Sequence, residues 1–148
     1  MASKSTIEVL NKLLVLHTRS LPMYLSYAQP AWLRGDDHAR ETLQSIVEDQ
    51  REIAERLGEM ITEIGPLNEG GFSMVFTAYH DLDFNFLLDR MIELQRRDIA
   101  TIEKLISQLV LVPMAKAIAE ESLGAARAHL ESLQELKPSK LVPAVHSA

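Results

Sequence analysis

The stretch VEDQREIAERLGEMI, residues 47–61, decides how the chain folds. Val47, Ile53, Ala54, Leu57, Met60 and Ile61 fall on one side of a helix that advances about 100° per residue. Ile46 and Ile64 lengthen the same stripe. Gln50 points close to the centre of that stripe. Glu48, the acid that first suggests chemistry, points roughly 165° away, into solvent. A glutamine on an apolar seam needs hydrogen-bond partners there, and what it pairs with becomes the central question.

Composition extends the helical reading to the rest of the chain. The 148 residues suit one domain with a sizeable core. With 47% apolar residues the chain is globular, and 6 Gly and 6 Pro leave room for long uninterrupted segments. The β-branched and aromatic clusters that mark strands are scarce, so the expected class is all-α. A net charge of −6 disfavours nucleic acid, because an acidic surface repels phosphates. Cysteine is absent, which removes disulfides, thiolate zinc sites and thiol nucleophiles. The opening MASKSTIEVLNKLL is interrupted by Glu8, Asn11 and Lys12 and lacks a signal-peptide layout. No run reaches the roughly 18 apolar residues of a membrane span. The expectation is a cytoplasmic protein with no membrane partner.

Working outward, a first helix is expected from about Ser5 to Ala28. Its seam is Ile7, Leu10, Leu14, His17, Leu21, Tyr24 and Ala28, in the three-four spacing of packed helices, with Pro22 bending it. Asp36 or Asp37 is expected to cap the second helix, which Gly65-Pro66 ends at about Ile64. Residues 65–81 are too long for a tight turn and suit a crossover the length of a bundle. The third helix runs from Asp81 or Asp83 to about Val110, with seam Phe84, Leu88, Met91, Gln95, Ile99, Ile102, Ile106 and Leu109. Again a glutamine, Gln95, lies mid-seam. Pro113 precedes a fourth helix, Met114 to Leu136, with Ile118, Ser122, Ala125, His129 and Leu136 on one face. This predicts one four-helix bundle over 1–136 and a mobile polar tail over 137–148.

These segments resemble the ferritin-like superfamily, bacterioferritin in particular, over most of residues 7–136. LNKLL at 10–14 looks like the opening of that family's first helix. Ala54-Glu55-Arg56-Leu57 matches the tail of its second-helix motif, and IELQRRDIATIEKLI looks like its third helix. The resemblance implies a ferritin-like four-helix bundle with a long crossover between helices two and three. It also implies where a di-iron site belongs. His17 falls on the first glutamate, Tyr24 on a tyrosine, Gln50 and Ile53 on a Glu-x-x-His pair, and Gln95 on the third-helix glutamate. Ser122 and Ala125, or Leu123 and Ala126 one residue later, fall on the second Glu-x-x-His pair. Arg51 stands where bacterioferritin has its haem-ligating methionine, so haem is not implied.

A di-iron site needs anionic oxygens to balance two cations. Glutamine keeps the shape of glutamate and loses the charge; isoleucine and alanine offer no ligand. The expected function is therefore a non-catalytic structural or binding protein that forms a homodimer and holds no cofactor. His17 is expected to donate to Gln50, with Tyr24 or Gln95 closing the set. Two alternatives stand beside this. One is an iron-handling or oxidase protein holding iron or another divalent metal on an altered set such as His17, Glu121 and His129. The other is a small-molecule binder using the former metal cavity. Tyr79-His80-Asp81 with Asp83 offers a further metal site, which helix capping explains more simply.

Overall fold

In the computed structural model the opening stretch lies inside α3, Asp37–Ile64. Residues 4–28, 30–67, 71–79 and 82–137 are described. The expected tail from 138 onward, and His80 with Asp81, lie outside the described residues. The remaining helices are α1 (Lys4–Thr18), α2 (Leu21–Tyr27), α4 (Phe84–Ser107) and α5 (Pro113–Glu135), with a 3-10 helix at Met74–Tyr79. The class is all-α, with no strand named among the described residues.

Each end of α3 has a local cause. Asp36 precedes its first turn, but its carboxylate accepts from the Leu33 amide at 2.8 Å and makes no cap bond to the helix. At the other end Gly65 is extended and lies against α1; a Cβ there would meet Ile7 Cδ1 at 2.6 Å. Pro113 opens α5, where a missing N–H costs nothing.

The expected bend at Pro22 is instead a break two residues earlier. Ser20 is extended and caps α2, its Oγ accepting from the Met23 amide at 3.2 Å. Pro22 then sits in the first turn of α2, where it fits. The physical reason is that a serine cap satisfies the amides that a continuous helix would have to bond internally.

Contacts close a ring: α1 packs on α3, α3 on α5, α5 on α4, and α4 on α1. α3 and α5 run antiparallel, since Asp49 meets His129 while Arg56 meets Glu121. The segment after α3 climbs along α1 and α2. Asn11 donates to the Pro66 carbonyl at 3.0 Å, and Phe72 lies edge-on to Tyr24 at 5.2 Å. Ala31 donates to the Leu82 carbonyl at 2.9 Å, which sets the start of α4 beside the entry to α3.

The core is two apolar clusters. One holds Leu10, Leu13, Leu57, Ile61, Ile102, Leu109 and Ala119. The other holds Leu21, Leu25, Phe84, Leu87, Met91 and Leu133. Fully burying one such side chain contributes about 1.5–3 kcal/mol. Along every long helix the change from one cluster to the other falls around a buried polar residue: His17 and Ser20, Gln50, Gln95, and Ser122 with His129. α5 presents Ala115, Ile118, Ala119, Ser122, Ala126, His129 and Leu133 to the interior. The expected face named Ala125 and Leu136; Ala126 and Leu133 take those places, a rotation of the stripe that keeps three-four spacing. No helix among the described residues is long and apolar enough to cross a membrane.

Candidate functional site

The polar band between the clusters is built from pairs that tie neighbouring helices. The His17 Nε2 and the Ser122 hydroxyl are hydrogen-bonded at 2.5 Å, joining α1 to α5. Ser20 Oγ donates to Gln50 Oε1 at 2.7 Å, joining the cap of α2 to α3. Gln95 Nε2 donates to the Ala126 carbonyl at 2.9 Å, joining α4 to α5. His129 Nε2 meets Asp49 Oδ2 at 2.9 Å, joining α5 to α3.

This differs from the expected network in its pairing. His17 bonds Ser122, not Gln50, and Gln50 takes Ser20. Tyr24 is half-buried and packs its ring on Phe72 and Phe76 at 5.2 and 5.5 Å, while the glutamines bond Ser20 and the Ala126 carbonyl. Ile53 is buried in the apolar cluster, and Ala125 is only partly buried against it. Glu121 lies on the surface in a two-point bond with Arg56 at 2.6 and 2.9 Å, so the set His17, Glu121 and His129 does not converge. Asp83 precedes α4 without a side-chain cap bond.

Sequence reasoning missed two members of the band, Ser20 and Asp49, and a half-buried acid near it, Asp98. Ser20 was legible as the Ser-x-Pro start of a helix. Asp49, next to Gln50 at the edge of the stripe, had no sequence signal as the partner of His129. Asp98 continues the three-four spacing of Met91, Gln95, Ile102 and Leu105, but as an acid it reads as surface and yields the seam to Ile99.

Burial sets the charges. His17 is held neutral, its pKa pushed down to about 4 by desolvation first and by nearby His129 second. Its Nδ1 is buried with no hydrogen-bond partner among the described residues, which costs about 1–3 kcal/mol. Asp98 is pushed up to about 7 by desolvation alone.

The donor set does not fit a dinuclear iron centre. The two amides and Ser122 carry no charge, Ile53 and Ala125 carry no ligand atom, and His17 Nε2 is already engaged. Among the described residues no three His, Cys, Asp or Glu side chains are grouped to hold a metal ion. The surface clefts formed by described residues are lined by side chains other than His17, Gln50, Gln95 and Ser122. Comparison of the chain with protein-family models, with curated proteins and with solved structures finds no match.

Proposed function

We propose that this chain is a ferritin-like four-helix bundle whose metal-site positions carry a neutral hydrogen-bonded layer, and that it works as a non-catalytic structural or binding protein. One observation carries the reading. At positions where the resemblance expects carboxylates, Gln50, Gln95 and Ser122 are buried and each is bonded within the chain. A buried carboxylate without metal would cost several kcal/mol, and a paired amide much less. The ring of helices, with a long segment joining α3 to α4, is the connectivity this reading requires. Self-association is part of the proposal: Met74 and Val75 of the crossover are 84% and 56% exposed, while Phe76 beside them is buried.

The test is a graft. Gln50→Glu, Ile53→His, Gln95→Glu, Ser122→Glu and Ala125→His, with the resident His17, complete the six-ligand pattern as far as the register allows. The grafted protein is expected to take up about two iron ions per chain, and the parent none at stoichiometric level, by elemental analysis after desalting. A graft that keeps its helical circular dichroism and takes up no iron overturns the ferritin-like register.

A further inference from the structure

Glu48 and Arg51 of the opening stretch return on the outer face of α3. A cleft of about 360 Å³ lies between α2 and α3, at the lower end of the roughly 300–1,000 Å³ that small-molecule sites occupy. Leu43 and Val47 are buried at its floor; Trp32, Arg40, Glu48 and Arg51 line it.

Arg40 is held in place. Its guanidinium lies 5.3 Å over the Trp32 ring, and Trp32 stacks on core Phe84 with centroids 4.9 Å apart. Neither Arg40 nor Arg51 is paired with a carboxylate among the described residues, whereas Arg56, Arg90, Arg97 and Arg127 all are. Glu48 also lacks an ion pair there. Arg40 and Arg51 stand eleven residues apart, about 16 Å along the helix, close enough for side chains that lean together to grip one molecule. Along α3 the cleft therefore reads positive, negative, positive.

That order selects a ligand chemistry. Two guanidiniums suit two carboxylates, each gripped by paired N–H donors. Glu48 between them repels a third anionic group and accepts from a hydroxyl or ammonium. A nucleotide is disfavoured: with Arg40 over one side of the indole and Phe84 stacked on it, no face is left for a base, and the volume is small. We propose that this cleft binds a small hydroxy- or amino-dicarboxylate, one carboxylate on Arg40, the other on Arg51, and the donor group between them on Glu48. The site stands apart from the buried band and does not depend on the ferritin-like reading.

Trp32 is the sole tryptophan, so its emission reports on Arg40. The full chain is titrated with L-malate, L-aspartate, succinate and inorganic phosphate at constant ionic strength, followed by fluorescence and by calorimetry. Malate or aspartate is expected to give a saturable change at one molecule per chain. Arg51→Gln is expected to weaken it about tenfold or more, with an unchanged thermal midpoint. Glu48→Gln is expected to remove the preference over succinate. A response to only one of malate and aspartate supports the site and fixes the donor group as hydroxyl or ammonium. No saturable response up to about 10 mM, equal affinity in Arg51→Gln, or phosphate matching the dicarboxylates overturns the proposal.

Discussion

Gln95→Glu is expected to destabilise the protein by about 3–5 kcal/mol at pH 7.5, and Gln50→Glu by only about 1–3 kcal/mol. The two substitutions are the same in atoms and charge; their surroundings differ. Gln95 uses its amide nitrogen as donor to the Ala126 carbonyl at 2.9 Å. A carboxylate there points negative oxygen at negative oxygen in a buried site. Gln50 uses its oxygen, which accepts from Ser20 at 2.7 Å, and a carboxylate keeps that bond. Urea unfolding of both variants measures the difference directly. Lowering the pH to about 5 is expected to restore part of the loss in Gln95→Glu, since a buried carboxyl protonates early. Equal losses, or a loss under about 1 kcal/mol for Gln95→Glu, would mean that the amide does not bridge α4 and α5.

The second large effect is an acid limb set by His17. Its folded pKa of about 4 lies below the ordinary 6.5. The unfolded chain therefore binds a proton where the folded one refuses it. The stability this group supplies is complete above about pH 6.5 and falls away as pH drops toward 4, by roughly 3 kcal/mol. Asp98 acts in the opposite sense. Its folded pKa is raised to about 7, so its contribution is complete below about pH 4 and is lost as pH rises through 7. Asp98 is only partly buried, and its share is discounted to about 1–2 kcal/mol. The two limbs overlap in the whole protein and are separated by variants. His17→Gln is expected to abolish the acid limb, and Asp98→Asn to gain stability above pH 7 with no gain at pH 4. Wild type and His17→Gln curves that stay parallel from pH 4 to 7 would show that His17 titrates normally.

The helices were legible where the chain carries punctuation. Gly65-Pro66 stops α3 at Ile64, and Pro113 opens α5, because these residues act on the backbone locally. The inward direction of Gln50 and Gln95 was legible too, since helical period fixes a face. What periodicity does not fix is the partner across the gap. His17 points inward, yet whether it meets Gln50 or Ser122 depends on how far α1 and α5 lean together. α5 was the hardest to orient. Ala115, Ala117, Ala119, Ala125 and Ala126 surround it with small residues, so its apolar pattern is flat and Ala125 and Ala126 compete for one place. Asp98 was hidden for another reason. A carboxyl on a seam contradicts the usual rule that acids face water, and only burial against its neighbours reveals it.

On the proposed reading, the neutral side chains of His17, Gln50, Gln95 and Ser122 leave the band without the charge to hold cations. Elemental analysis of the protein, purified without chelator and then incubated with excess ferrous or zinc ion, tests it most directly. Far less than one bound ion per chain is expected after desalting, with no rise in the thermal midpoint. One or two tightly held ions per chain, lost on His17→Gln, would contradict it.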